Sequence, residues 1–182
     1  STLKTIHSLN LVCEAATARL LGSAMAFQRD GSGRVAVACF GDAGLETGQI
    51  YEAINFAALL KLPIIFFCEN NRYSTATPLS QRQPDRRFTA VARAMGLNQV
   101  CRVGTGSVED MYEFAKLSRA ATPSYLEIDT YRFREHVGPN HDWNLGFRTR
   151  EEVEEAMTAD PLTALRRGLA NLGAVLAELE AK

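Results

Sequence analysis

The sequence predicts an α/β fold in which a parallel sheet is flanked by helices. Short apolar runs, such as residues 35–40 and 64–68, have the composition of buried strands. They alternate along the chain with longer segments whose apolar residues recur at helical spacing. Strands that alternate with helices are typical of parallel sheets with crossover connections. A length of 182 residues suits one domain, so residues 1–182 are assigned to a single domain.

The first half of the chain is predicted to form two helix–strand pairs, over residues 9–27, 35–40, 48–60 and 64–68. Both helical segments have apolar residues at roughly helical spacing. Both strand segments are short and apolar, which is typical of strands that are buried on both faces. Gly31 and Gly33 suit a turn before the first strand, and Pro63 marks the end of the second helix.

The second half is predicted to contain a loop and two further helix–strand pairs, over residues 70–84, 88–95, 100–103, 108–120 and 125–130. Gly96 is expected to end the first of these helices, and Ser107 with Asp110 forms a capping pattern before the second. Residues 131–148 are rich in turn formers and are predicted to be a long loop. The remaining chain is expected to be helical, with a break near Pro161.

Composition argues against several classes of protein. Lys and Arg total 20 and Asp and Glu total 21, so there is no basic bias that would indicate nucleic acid or an anionic membrane. No apolar stretch reaches membrane-spanning length, and residues 1–10 lack the apolar core of a signal peptide. The four cysteines form no CxxC pair, and Cys39 and Cys68 lie in apolar runs. Buried free thiols, and hence a cytoplasmic protein, are expected.

Polar groups that suit a metal follow the first two predicted strands. Because parallel neighbours end at the same edge of a sheet, the loops after both strands are expected to meet there. Mg²⁺ prefers oxygen ligands, and Asp42 offers a carboxylate, Asn71 an amide oxygen and Tyr73 a backbone carbonyl. The small residues Gly41, Ala43 and Gly44 would let backbone N–H groups approach a phosphate. Each loop taken alone is also compatible with an ordinary turn.

These segments together resemble a known family: residues 40–44 (FGDAG), 51–58 (YEAINFAA), 61–63 (KLP), 68–73 (CENNRY) and 130–136 (TYRFREH). They are similar to the alpha subunit of the thiamine-diphosphate-dependent first component of 2-oxo acid dehydrogenase complexes, of the pyruvate, branched-chain and acetoin types. The resemblance spans roughly residues 15–161.

The resemblance implies an enzyme that uses thiamine diphosphate and Mg²⁺ to decarboxylate a small 2-oxo acid and transfer the resulting acyl or aldehyde unit. It implies a beta-type partner subunit, in a heterotetramer or dimer of dimers, with the cofactor between the subunits. By the same resemblance, Asp42, Asn71 and the Tyr73 carbonyl are metal ligands, and residues 41–44 contact the cofactor. His136 is expected near the diphosphate and the reacting centre, as a cofactor-binding and catalytic residue.

Three departures from the family's pattern stand in this sequence. Ala43 replaces a usual glycine, the segment before the first helix is short or missing, and Val137 stands where related complexes often have serine. Elsewhere, the cluster of Arg82, Arg86 and Arg87 is interpreted as a solvated loop face. Glu46 is interpreted either as an exposed side chain or as a group that supports Asp42.

Two other functions stay open at this point. A split transketolase-like subunit that transfers a ketol unit would use the same cofactor fold. A non-catalytic α/β assembly module that has lost cofactor binding would explain Ala43 and the short N-terminal segment.

Overall fold

The computed structural model describes residues 13–84, 87–104 and 108–180, and in it a parallel sheet has helices on both faces. The four strands of this sheet are Ala36–Gly41 (β1), Ile64–Asn70 (β2), Gln99–Val103 (β5) and Ser124–Asp129 (β6). Their spatial order is β1-β2-β6-β5, and every neighbouring pair is parallel. The predicted fold class is therefore confirmed.

Seven α-helices cover this sheet or follow it: Cys13–Arg29 (α1), Gly48–Leu60 (α2), Leu79–Arg82 (α3), Phe88–Ala94 (α4), Val108–Ala120 (α5), Arg150–Thr158 (α6) and Pro161–Glu180 (α7), as counted over the described residues. The predicted helix over residues 9–27 is confirmed from Cys13 onward, since its start lies outside the described residues. The break predicted near Pro161 separates α6 from α7. Gly31, Gly33 and Gly96 have positive φ angles, as their predicted turn and helix-end positions require.

The larger hydrophobic cluster lies between the sheet and the helices α1, α2 and α4. Alternate residues of β2, such as Ile64, Phe66 and Cys68, point to this side and are fully buried. Tyr125 of β6 and Phe88 of α4 pack here with ring centroids 5.3 Å apart. This side of the sheet fixes β1 and β2 beside each other, and with them the loops that follow.

The second face of the sheet is covered by α5 and is less complete. Leu126, Ile128 and Val103 form a smaller cluster against Met111 and Phe114 of the helix. On β1, buried residues alternate with half-buried ones, so its second face is only partly covered. The expectation that β1 is buried on both faces was wrong, because α5 packs against the β5–β6 side.

The two segments predicted as loops contain regular structure. Residues 70–84 include the hairpin strands Tyr73–Ser74 (β3) and Thr77–Pro78 (β4), and then α3. Residues 131–148 include a 3-10 helix over Asp142–Leu145. Neither element was predicted, because each is only a few residues long and lies among residues that are typical of turns. The capping pattern at Ser107 lies outside the described residues.

Within the described ranges, no helix is long and apolar enough to cross a membrane.

Candidate functional site

The carboxyl edge of β1 and β2 brings the two predicted loops together. In the register of the sheet, Gly41 at the end of β1 lies opposite Glu69 of β2. The chain then enters a 3-10 turn over Asp42–Glu46, while β2 continues to Asn70. Asp42 is 1% exposed in this turn. The adjacency that the sequence predicted is present, and it places a buried carboxylate beside the Asn70 turn.

The turn that carries Asp42 depends on a small residue at position 44. A Cβ atom added to Gly44 would lie 3.3 Å from two atoms of the Phe40 side chain, so a larger residue would push on the core. Ala43, by contrast, is not among the residues with a positive φ. Alanine is therefore compatible with the local backbone, and this departure from the family's pattern imposes no strain on the turn.

Asp42 is held by an arginine that the sequence reading placed in a solvated cluster. The Arg82 guanidinium forms ion pairs with both Asp42 and Glu46, and its side chain is only 9% exposed. Gln83 also donates to Glu46, at 2.7 Å. The solvated reading is wrong for Arg82, because the chain returns to Asp42 through α3. Arg87 is exposed, and Arg86 lies outside the described residues.

The Asn70–Asn71 turn is ordered by its own side chains. The amide oxygen of Asn71 accepts a hydrogen bond of 2.9 Å from the backbone N–H of Tyr73. The amide oxygen of Asn70 accepts one of 3.0 Å from the N–H of Arg72. Both bonds are typical of turns that begin with asparagine, and they fix the direction of the chain after β2.

A buried glutamate, Glu127, also fixes this turn. It was not identified from the sequence. Asn70 donates to Glu127 at 2.8 Å, and the hydroxyl of Tyr125 donates to the other carboxylate oxygen at 2.9 Å. Arg102 lies 3.5 Å from the same carboxylate. Glu127 is 3% exposed. A lone glutamate inside an apolar strand, residues 124–128, was the available signal, because buried carboxylates are rare unless they are paired.

Two further arginines hold the loop after β2 from its outer side. Arg148 donates to the carbonyl of Asn71 at 3.3 Å, and its guanidinium lies 4.4 Å from the centre of the Tyr73 ring. Arg132 donates to the carbonyl of Thr75 at 2.6 Å. Both arginines pair with Asp142, which is 0% exposed. Arg132 thus pairs with a buried acidic neighbour.

A cavity of about 700 Å³ opens at this edge of the sheet. It is lined by 14 residues, among them Asp42, Asn70, Tyr73, Arg87 and Glu127. The residues lining it therefore include two of the predicted ligands, Asp42 and Tyr73. Asn71, the third, adjoins Asn70 but is not among the lining residues.

The structure does not place His136 with the other predicted residues. It is exposed in the loop between Arg134 and His141, which form an isolated antiparallel bridge. It is also absent from the residues that line the large cavity. The role assigned to His136 by resemblance stays a prediction.

Burial keeps the Tyr125 hydroxyl and the Cys68 thiol protonated. It raises the pKa of the Tyr125 hydroxyl far above its usual range, and the nearby charge of Glu127 acts in the same direction. It likewise raises the pKa of the Cys68 thiol. Tyr125 is therefore a permanent hydrogen-bond donor to Glu127, and Cys68 is an unreactive thiol at neutral pH. Cys68 and Cys101 are buried and free, whereas Cys39 is only half-buried, contrary to expectation.

The donor atoms at this edge fit a magnesium ion that is shared with a phosphate. No group of three or more His, Cys, Asp or Glu side chains in the described part of the chain could hold a metal by itself. Mg²⁺, however, is usually held by one or two carboxylates together with phosphate oxygens and water. A buried carboxylate that faces an open cavity, beside amide and carbonyl oxygens, supplies that kind of partial site.

Comparisons with known proteins show which family the chain is similar to. The profile of the family described as "Dehydrogenase E1 component" matches residues 4–182. The 2-oxoisovalerate dehydrogenase subunit alpha of Bacillus subtilis (strain 168) is 32% identical over 165 residues, covering 88% of this chain and 49% of that protein. The mitochondrial pyruvate dehydrogenase E1 component subunit alpha of Dictyostelium discoideum is 34% identical over 152 residues, covering 81% and 40%.

A solved structure of a proposed thiamin diphosphate-dependent enzyme from Mycobacterium smegmatis is 28% identical, with a TM-score of 0.49, covering 64% of this chain and 22% of that one. The chain spans half or less of the length of the two relatives above. The profile match extends over nearly the whole sequence, so the chain belongs to the dehydrogenase E1 component family.

Proposed function

We propose that the chain is the alpha-type part of a thiamine-diphosphate-dependent enzyme that decarboxylates a 2-oxo acid and transfers the resulting acyl or aldehyde unit. The observation that carries this proposal is the Asp42 carboxylate, which is 1% exposed yet lines a cavity of about 700 Å³ at the carboxyl edge of a parallel sheet. Ligands of open α/β sheets bind at this edge. Membership of the family and the names of the two relatives support the choice of cofactor and reaction.

In this proposal, Asp42, the Asn71 amide oxygen and the Tyr73 carbonyl would hold Mg²⁺, and residues 41–44 would offer backbone N–H groups to the diphosphate. The bound cofactor supplies the carbanion chemistry. The chain's own residues position the proposed ligands. The Glu127 carboxylate accepts a hydrogen bond from the Asn70 side chain, and Arg148 donates one to the carbonyl of Asn71. His136 remains the proposed catalytic residue of the following loop.

The partner and the compartment are part of the same proposal. The two relatives are named as alpha subunits, which supports a beta-type partner that completes the active site, in a heterotetramer or dimer of dimers. Free thiols at Cys68 and Cys101 support a reducing compartment such as the cytoplasm.

The test is thermal and urea unfolding of the full-length chain, alone and mixed with its beta-type partner, with and without thiamine diphosphate and Mg²⁺. A ligand that binds only the folded state at a hundred times its Kd adds about 2.7 kcal/mol to the free energy of unfolding. Asp42→Asn should remove this gain, because the carboxylate ligand is lost. Asp30→Asn is the matched control, since Asp30 pairs with Arg34 in the turn that precedes β1 and is exposed.

Absence of any stabilisation with the partner present would contradict cofactor binding and favour an assembly module. Where stabilisation is found, turnover of 2-oxo acids and of sugar phosphates should be compared in the mixed sample. Turnover of sugar phosphates alone would replace the proposed reaction with ketol transfer.

A further inference from the structure

The Asp42 carboxylate already has a cationic partner, Arg82. Its guanidinium pairs with Asp42 through one terminal nitrogen and with Glu46 through the other. The Nε–H donates to the carbonyl of Thr77 at 3.2 Å. With all three nitrogens engaged and 9% of the side chain exposed, the guanidinium is fixed in place. It neutralises a carboxylate that is itself almost fully buried.

A metal ion bound to Asp42 would compete with the ion pair between Asp42 and Arg82. The oxygen of Asp42 that bonds Arg82 is one of only two that the carboxylate can offer. Two positive charges within a few ångströms repel strongly where water is scarce, as it is around a buried side chain. A divalent cation would therefore bind Asp42 at the expense of the guanidinium.

Glu46 would keep the Arg82 guanidinium in an ion pair after it leaves Asp42. Its side chain is 27% exposed, so it is more hydrated than Asp42, and it already accepts hydrogen bonds from both Arg82 and Gln83. Arg82 ends α3, and Leu79 and Ser80 of the same helix line the large cavity. Arg82 therefore belongs to the same helix as two residues that line the proposed cofactor site.

We propose that Arg82 competes with the metal for the Asp42 carboxylate, so that metal binding requires the guanidinium to leave Asp42 and remain on Glu46. The inference rests on the proposed function, because it takes Asp42 as a metal ligand. Its consequence is that the site binds a divalent cation weakly by itself.

The experiment measures binding of Mn²⁺, as a paramagnetic substitute for Mg²⁺, to the full-length chain with its partner and without thiamine diphosphate. Free Mn²⁺ is followed by electron paramagnetic resonance. Arg82→Gln should tighten binding about tenfold, within the usual range of coupling between two sites. Arg34→Gln, which removes an arginine from an ion pair with Asp30, should change the Kd by less than about twofold, because exposed charges are screened. Arg82→Lys should fall between the wild type and Arg82→Gln.

The melting temperature is a second measurement, used because Arg82→Gln is expected to be less stable than the wild type. Arg82→Gln leaves the Asp42 charge without its partner, so its melting temperature without Mn²⁺ should be lower than that of the wild type. Saturating Mn²⁺ should raise the melting temperature of Arg82→Gln more than that of the wild type.

Equal Mn²⁺ affinity in the wild type and Arg82→Gln, with binding lost in Asp42→Asn, would overturn the competition and leave the proposed metal site standing. No Mn²⁺ binding in any variant, with or without thiamine diphosphate, would overturn both.

Discussion

Asp42 and Asp142 are both buried carboxylates that pair with arginines, yet they lie in different surroundings. They are 1% and 0% exposed, respectively. Asp42 pairs with one arginine and lines the large cavity. Asp142 pairs with Arg132 and Arg148 and is not among the residues lining that cavity.

Under the proposed function, this difference separates a binding group, Asp42, from a positioning group, Asp142. Burial and ion pairing are alike at the two aspartates, so neither property identifies a functional residue. Access to an open volume does, because a ligand must reach the carboxylate. Asp142 acts at a distance: it holds the two arginines that bond the carbonyls of Asn71 and Thr75, next to the proposed ligands.

The largest expected effect belongs to Asp142→Asn. The change leaves Arg132 and Arg148 without their shared counter-charge, and the Arg148 side chain is 1% exposed. Removal of one partner of a buried ion pair costs about 3 to 5 kcal/mol. Urea denaturation should show a loss of this size in the free energy of unfolding.

Asp129→Asn is the control for Asp142→Asn, because Asp129 also pairs with an arginine but its side chain is 21% exposed. Its expected cost is at most about 1 kcal/mol, the upper range for exposed pairs. Similar losses in the two variants would show that burial does not determine how much the Asp142 cluster, formed by Asp142, Arg132 and Arg148, contributes to stability.

Asp42→Asn is expected to cost less than Asp142→Asn, about 1 to 2 kcal/mol. Arg82 keeps its bonds to Glu46 and to the carbonyl of Thr77 in this variant, so its buried guanidinium is not left without partners. The same denaturation series should therefore rank Asp142→Asn as the less stable protein. The reverse order would mean that Asp42 stabilises the fold more than the Asp142 cluster does.

The sequence sufficed to predict the Asp42 side of this comparison. Apolar strand segments, a helix between them and the polar residues that follow each strand are local signals. The rule that parallel neighbours end at one edge then placed Asp42 near Asn70 without any contact being known. The register of β1 and β2 confirmed that placement.

The sequence did not suffice for the Asp142 side or for Arg82. Arg82 meets Asp42 across 40 positions of sequence, and Arg148 meets Asn71 across 77. Such contacts depend on how short elements after β2 and β6 fold back, and turn-forming residues do not encode that path. A charged residue in a polar segment looks solvated until the chain is closed around it.

The smallest expected effect concerns Tyr131, which packs on the far side of the Asp142 cluster. Its ring lies 4.3 Å from the Arg148 guanidinium, and its hydroxyl donates to Glu152 at 3.1 Å. Burial raises the pKa of Tyr131 from 10.0 to about 12, and Glu152 acts in the same direction while Arg148 opposes it. A pKa that is higher in the folded state means that the contribution to stability is complete below the unfolded value of about 10 and is lost as the pH rises through about 12.

The free energy of unfolding should therefore fall more steeply with pH in the wild type than in Tyr131→Phe, between about pH 10 and about pH 12. Urea denaturation at several pH values in this window measures the two slopes. Tyr125 is present in both proteins, so its own titration cancels in the difference. Equal slopes would show that the hydroxyl of Tyr131 titrates as freely in the folded chain as in the unfolded one, and that the outer side of the Asp142 cluster is open to water.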